Sequence, residues 1–198
     1  MRHYGRDHGV AALEEVHGQH WSGWDPRIPM LEVGLDDAQV DEHYDAFRAY
    51  WWERFFASDY CIEDEPIAGA KPYVHSVLEL GAQVFYVTGR HEAMREGTLA
   101  CFERHGFPMP TGDRIRLVMK PGLDEHDDAY KLRTYDALRG AGRVVAAFDN
   151  EPAHINGYLE AFPDAQSVHL ATDHSLREIR VHSSIPSIRD FASWLSRD

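Results

Sequence analysis

Short, continuous apolar runs constrain this chain more than any other feature. They fall at Gln83–Thr88, Ile115–Met119, Val144–Phe148 and Ser167–Leu170. Runs of this kind suit strands buried on both faces, whereas a strand with one wet face alternates apolar and polar residues. Between the runs lie stretches with helical spacing. Ala70–Leu80 ends at Gly81, His91–His105 stops at Gly106, and Asp128–Leu138 is followed by Gly140 and Gly142. Pro152–Phe162 opens with a proline, whose missing N–H is not needed in a first helical turn. Strand and helix in alternation predict an α/β fold, a Rossmann-type parallel sheet flanked by helices. Ser187–Leu195 reads as a closing helix with Ile188, Phe191 and Leu195 on one side.

The first third of the chain is different. Trp21, Trp24, Trp51 and Trp52 lie there, while Trp194 stands alone near the other end. Gly23, Pro26 and Pro29 make the segment from Trp21 to Pro29 irregular. From Asp37 to Ala57, Val40, Tyr44, Phe47, Trp51 and Phe55 recur at spacings of three to four, which predicts one long helix. Asp36 and Asp37 suit its N-terminal cap. The chain of 198 residues therefore divides into a helical, cap-like segment at 1–65 and an α/β core at 66–198.

Composition narrows the partners. The formal charge of −13 disfavours a nucleic-acid backbone as ligand, because phosphates in a row require a basic face. It leaves room for a small phosphorylated molecule, which needs only one or two placed cations or a metal. No apolar run approaches the roughly 20 residues of a membrane span, so no membrane partner is expected. The residues from Met1 to Asp7 lack the apolar core of a signal peptide. Cys61 and Cys101 are too few for a disulfide framework. A reducing, cytoplasmic setting is the expectation.

In open parallel sheets, ligands sit at the carboxyl ends of strands. The first run ends in Thr88-Gly89-Arg90, with the next helix expected at once. The free N–H groups of that helix start and the Thr88 hydroxyl would form an anion site; equally, Thr88 could cap the helix and Gly89 make the turn. The third run ends in Asp149-Asn150-Glu151-Pro152. An acid at the tip of a buried strand is costly unless it is hydrogen-bonded or binds a cation. Oxygen ligands such as Asp149 and Asn150 suit Mg²⁺, and capping of the following helix is the competing role. Lys131 lies near the start of the helix before that strand, where it could neutralise a phosphate; Lys120, after Met119, competes for the same role.

Taken together, these features resemble the haloacid dehalogenase-like (HAD) hydrolase superfamily over about residues 64–175. Further residues carry the resemblance: Pro66–Ala70, Leu80-Gly81-Ala82, Gly106-Phe107-Pro108 and Thr172-Asp173-His174-Ser175. It implies that Thr88 binds the transferring phosphoryl group, with Gly89 and Arg90 against the substrate. Lys131 would be the phosphate-neutralising lysine, and Asp149, with Asn150 or Glu151, would hold Mg²⁺. The lysine-to-acid spacing supports Lys131 over Lys120. The reaction implied is hydrolysis of a small phosphomonoester.

One part is missing. HAD enzymes begin with an apolar strand ending in Asp-x-Asp, whose first aspartate attacks phosphorus and whose second acts as acid and base. No such strand precedes Thr88. Leu31 to Asp37 is interrupted and ends in adjacent acids, and the run Tyr60 to Glu65, with Asp64, directly abuts the Pro66–Ala70 segment. The missing strand would be central, so the strands at 83–88 and 144–148 would flank a gap with unpaired backbone groups. Three arrangements are open: the strand lies upstream of Met1, the flanking strands pair directly, or another segment fills the slot. The first is expected. The chain as it stands is then an inactive phosphatase of this lineage, the alternative being a non-catalytic HAD-like protein that binds a phosphorylated ligand or a protein. Exposure of the tryptophans discriminates, since an exposed aromatic patch favours binding.

Overall fold

The computed structural model describes residues 1–21, 25–175 and 177–192. The chain forms two compact units, 1–56 with 173–177, and 57–172 with 178 onward.

The first unit is helical. Its described helices are α1 (Arg2–His8), α2 (Ala11–Glu14), α3 (Arg27–Glu32) and α4 (Asp37–Phe55). Helix α4 starts where Asp36 was expected to cap it, and the cap is a reciprocal box. Asp36 Oδ1 accepts from the Gln39 N–H at 2.9 Å, and Gln39 Oε1 accepts from the Asp36 N–H at 3.0 Å. Its stripe meets Tyr4, Leu13 and Met30 through Val40 and Phe47, all buried. The far end of the stripe is open. Trp52 and Phe55 are exposed, and a cavity of about 660 Å³ lies against Trp21, Trp51, Trp52 and Phe56. Trp24 lies outside the described residues.

The second unit is α/β. In order it holds α5 (Ala70–Glu79), β1 (Val84–His91), α6 (Arg95–His105), β2 (Ile115–Lys120) and α7 (Asp127–Ala141). Then come β3 (Ala146–Asp149), α8 (Pro152–Ala161), β4 (Gln166–Leu170) and β5 (Ser187–Ile188). Every described pairing is parallel, as the continuous apolar runs require. The segment 57–65, grouped with the cap by sequence, belongs here. A 3₁₀ helix at Ser58–Glu63 lies on α6 so closely that a side chain on Gly97 would overlap the Ser58 carbonyl, and the Gly97 N–H donates to Ser58 Oγ at 2.7 Å.

Two expectations are corrected. Ser187 and Ile188 form a strand beside β4, not a helix. Ile188 and Phe191 are buried as their spacing suggested, but a two-residue strand hides its period from any helical template. Leu195 and Trp194 lie outside the described residues. The tight turn at Gly89 is also absent. Strand β1 runs on through Gly89 and Arg90 to His91, and α6 begins only at Arg95 after a 3₁₀ turn. No helix N-terminus therefore stands at Thr88.

The sheet is divided. Strand β1 pairs with β2, and β3 with β4 and then β5, as separate sheets with no described strand between β1 and β3. Direct pairing in a shrunken sheet does not occur. Apolar clusters lie on both faces. Tyr135, Ile155 and Tyr158 pack with Ala147, Phe85 and Val87, while Tyr73 and Phe191 pack with Phe148 and Val168.

Candidate functional site

The end of β1's apolar run, at Val87, and the carboxyl end of β3 are joined by one side chain. Lys131, in the second turn of α7, donates to Asp149 Oδ2 at 2.9 Å and to the Val87 carbonyl at 3.3 Å. Both Lys131 and Asp149 are buried, with side chains 9% and 7% exposed. The spacing of lysine and acid along the sequence thus becomes a contact. Lys120 does not compete. It donates instead to Asp127 Oδ1 at 2.6 Å.

Asp149 is held on its other oxygen too. Oδ1 accepts from the Glu151 N–H at 2.9 Å and lies 3.7 Å from His154 Nδ1. The opposite nitrogen of His154 is 3.0 Å from Asp128 Oδ1. A line of groups therefore runs Asp128, His154, Asp149, Lys131 and Val87 O. Burial pushes the Asp149 carboxyl upward, but His154, the Lys131 ammonium and the Glu151 N–H outweigh it and hold it at about 2. The acid is ionised at any physiological pH. Its cost at a buried strand tip is met by these partners, and the Oδ1 bond to the Glu151 N–H closes the turn before α8; the expected capping role is not seen, since the N-cap of α8 is Glu151 and no side chain caps that helix.

The residues after β1's apolar run are placed differently from expectation. Thr88 Oγ accepts the Arg90 N–H at 3.2 Å. The Arg90 guanidinium is bound to Asp64 and donates to Thr98 Oγ at 3.3 Å. It is anchored to the start of the unit and to α6. Gly89 faces Asp127, and a Cβ there would stand 3.2 Å from Asp127 Oδ2. The Asn150 carbonyl is 3.2 Å from His169 Nε2. So the fold brings together Lys131, Asp149 and the backbone just before Thr88, while Arg90 is tied up elsewhere.

His154, Asp128 and Asp127 were missed by sequence reasoning. The first is readable in hindsight, because a polar residue in the first turn after Asp149-Asn150-Glu151-Pro152 faces back toward the strand end. The two aspartates carry no such signal.

The donor set does not by itself fit Mg²⁺. Among the described residues no group of three or more His, Cys, Asp or Glu side chains could hold a metal ion. The Asp149 oxygens are taken by Lys131 and by the Glu151 N–H. Cys61 and Cys101 are buried free thiols. Among the described residues no helix is long and apolar enough to cross a membrane. Comparison with protein families, with curated proteins and with solved structures finds no match. What stands is an α/β unit with small parallel sheets and a helical unit, with a buried lysine–aspartate pair at the strand ends.

Proposed function

We propose that the crevice beside Val87-Thr88 of β1 and Asp149 at the end of β3 binds the phosphoryl group of a small phosphorylated molecule, in the manner of the HAD lineage, without hydrolysing it. The observation that carries this reading is Lys131. It is a buried cation that spends one ammonium hydrogen on Asp149 and one on Val87 O, one residue before Thr88, and an ammonium has three hydrogens to donate. The Thr88 hydroxyl adds a second donor. A charge-assisted bond from a cation in a poorly hydrated site is the main service a protein offers a phosphoryl group. Residues 1–87 hold no strand ending in Asp-x-Asp, so these residues supply no aspartyl nucleophile to the crevice.

Phosphorus-31 NMR titration with inorganic phosphate and with glycerol phosphate tests this. Binding should weaken by about tenfold in Thr88→Val, for one lost hydrogen bond to a charged group. It should weaken further in Lys131→Met, scored only if circular dichroism shows a folded protein. Phosphate release from p-nitrophenyl phosphate should stay at background with and without Mg²⁺. Absence of binding sinks the reading. Mg²⁺-dependent turnover that disappears in Asp149→Asn would replace it with a phosphatase.

The aromatic cavity of the helical unit favours a second reading, a protein that binds a partner. Trp52 is 62% exposed, and Trp51 and Trp21 are half-buried beside it. Trp52→Ala leaving all partner capture unchanged would remove that reading.

A further inference from the structure

The gap in the sheet has chemistry of its own. The Val84 N–H donates to Arg114 O on the β2 side. Backbone groups alternate sides along a strand, so the N–H and C=O of Phe85 and Val87 point away from β2, into the gap. Lys131 reaching Val87 O from that side agrees. On the far bank, Val145 O accepts from the Gln166 N–H of β4. By the same alternation the N–H and C=O of Ala146 and Phe148 point back into the gap. Lys131 ties Val87, at the end of the 83–87 bank, to Asp149, just past the end of the 144–148 bank, so the two banks run in the same direction.

Between them lies a cavity of about 540 Å³, lined by Gln83–Val87 on one bank and Val144–Phe148 on the other. One side of it carries Tyr73 and Phe191, and the other Leu138 and Tyr158. An occupant therefore meets apolar side chains above and below, and backbone donors and acceptors on both edges. A lipid or other apolar small molecule satisfies the first and leaves the second orphaned, at real cost in a buried place. A single extended peptide satisfies both.

We propose that this gap receives, as an added parallel strand, an extended segment of about five consecutive apolar residues from a second polypeptide. Consecutive apolar residues are required because both faces of the slot are covered. Each described strand of this chain is already paired, so a second copy has no described strand to lend.

The test uses capped synthetic peptides of valine, isoleucine and phenylalanine, about five residues long, with a lysine tail for solubility. Amide hydrogen exchange by NMR is read at Phe85, Val87, Ala146 and Phe148. In the free protein these amides should exchange quickly, and saturating peptide should slow them by at least about tenfold. Methylating one central backbone nitrogen of the peptide should weaken binding about tenfold, the loss expected for one backbone bond and its orphaned partner. Three results overturn the proposal. Amides already slow in the free protein mean that the banks pair with each other. Peptide leaving the amides fast means that no strand adds. A methylated peptide that binds equally well means that the cavity reads only apolar side chains.

Discussion

The unit contains two buried lysines near strand ends, and they have opposite fates. Lys131 and its partner Asp149 are both sealed, at 9% and 7% side-chain exposure. Lys120 is as buried, at 8%, but its partner Asp127 is 52% exposed. The lengths differ little, 2.9 Å against 2.6 Å, and the shorter pair is the one open to water. Distance therefore says little about worth here. A sealed pair depends wholly on its partner, because neither charge can turn to solvent when the other is removed. An open pair is screened, and its acid rehydrates freely. The sealed pair also joins two sheets that share no strand, whereas the open pair joins β2 to the start of the helix that follows it.

Removal of a cation breaks this comparison most sharply. Lys131→Met should destabilise the protein by about 3–5 kcal/mol, the cost of an uncompensated buried carboxylate. Urea unfolding measures it. A loss under about 1 kcal/mol would mean that water reaches Asp149. The same reasoning fixes a pH dependence. Asp149 is held at about 2 against an ordinary 3.8. Because the folded value is the lower one, the stabilisation is complete above about pH 3.8 and is lost as pH falls toward about 2. It amounts to roughly 2 kcal/mol. Stability of the native protein relative to Asp149→Asn should fall across that window and be flat above it; an equal slope in both proteins would assign the acid limb to other carboxylates.

Next in size is His154, which stands between Asp149 and Asp128 at 3.7 and 3.0 Å. His154→Gln should cost about 1.5 kcal/mol, one hydrogen bond to a charged group at the low end of its range. It should also move the Asp149 transition upward in pH, since one of the partners that holds the carboxyl down is gone. An unmoved transition would leave Lys131 and the Glu151 N–H as its sole determinants.

Much of this was legible in the sequence, for reasons that lie in the pattern of each element. Strands β1 to β4 announce themselves because strands buried on both faces must be apolar throughout. Helix α4 announces its start because an aspartate such as Asp36 is a favoured cap; its reciprocal partner Gln39 appears only in the structure. Lys131 and Asp149 were singled out by their spacing, as a phosphate-neutralising lysine and a metal ligand, but their direct contact was not foreseen. What stayed hidden depends on contacts distant in sequence. The extension of β1 to His91 follows from its register with β2, where Lys120 pairs with His91 after an irregular step at Thr88. A Gly-Arg pair after a threonine reads as a turn in any local window. The two-residue β5 is too short for a period. The attachment of Ser58–Glu63 to α6 was invisible because it rests on the lack of a side chain at Gly97, which carries no directional signal.

The smallest effects belong to the open pair, and they decide whether it matters at all. Lys120→Met should cost at most about 1 kcal/mol, because Asp127 keeps its water and the lysine stem is replaced by an apolar one of similar length. Gly89→Ala probes the same place from the other side. Its new methyl would meet Asp127 Oδ2 at 3.2 Å, tighter than an ordinary contact, but the carboxylate is a half-exposed end that can swing by a few tenths of an ångström. Gly89 does not have a positive φ, so no backbone strain is added. The expected loss is a few tenths of a kcal/mol, offset in part by the lower entropy of alanine in the unfolded chain. If Gly89→Ala costs nothing in the native protein and nothing in Lys120→Met, Asp127 is free to move and the pair is incidental. If the alanine costs more than about 1 kcal/mol, and that cost falls away in Lys120→Met, then Lys120 fixes Asp127 against β1. The open pair would then be a second clamp on the strand end that carries Thr88.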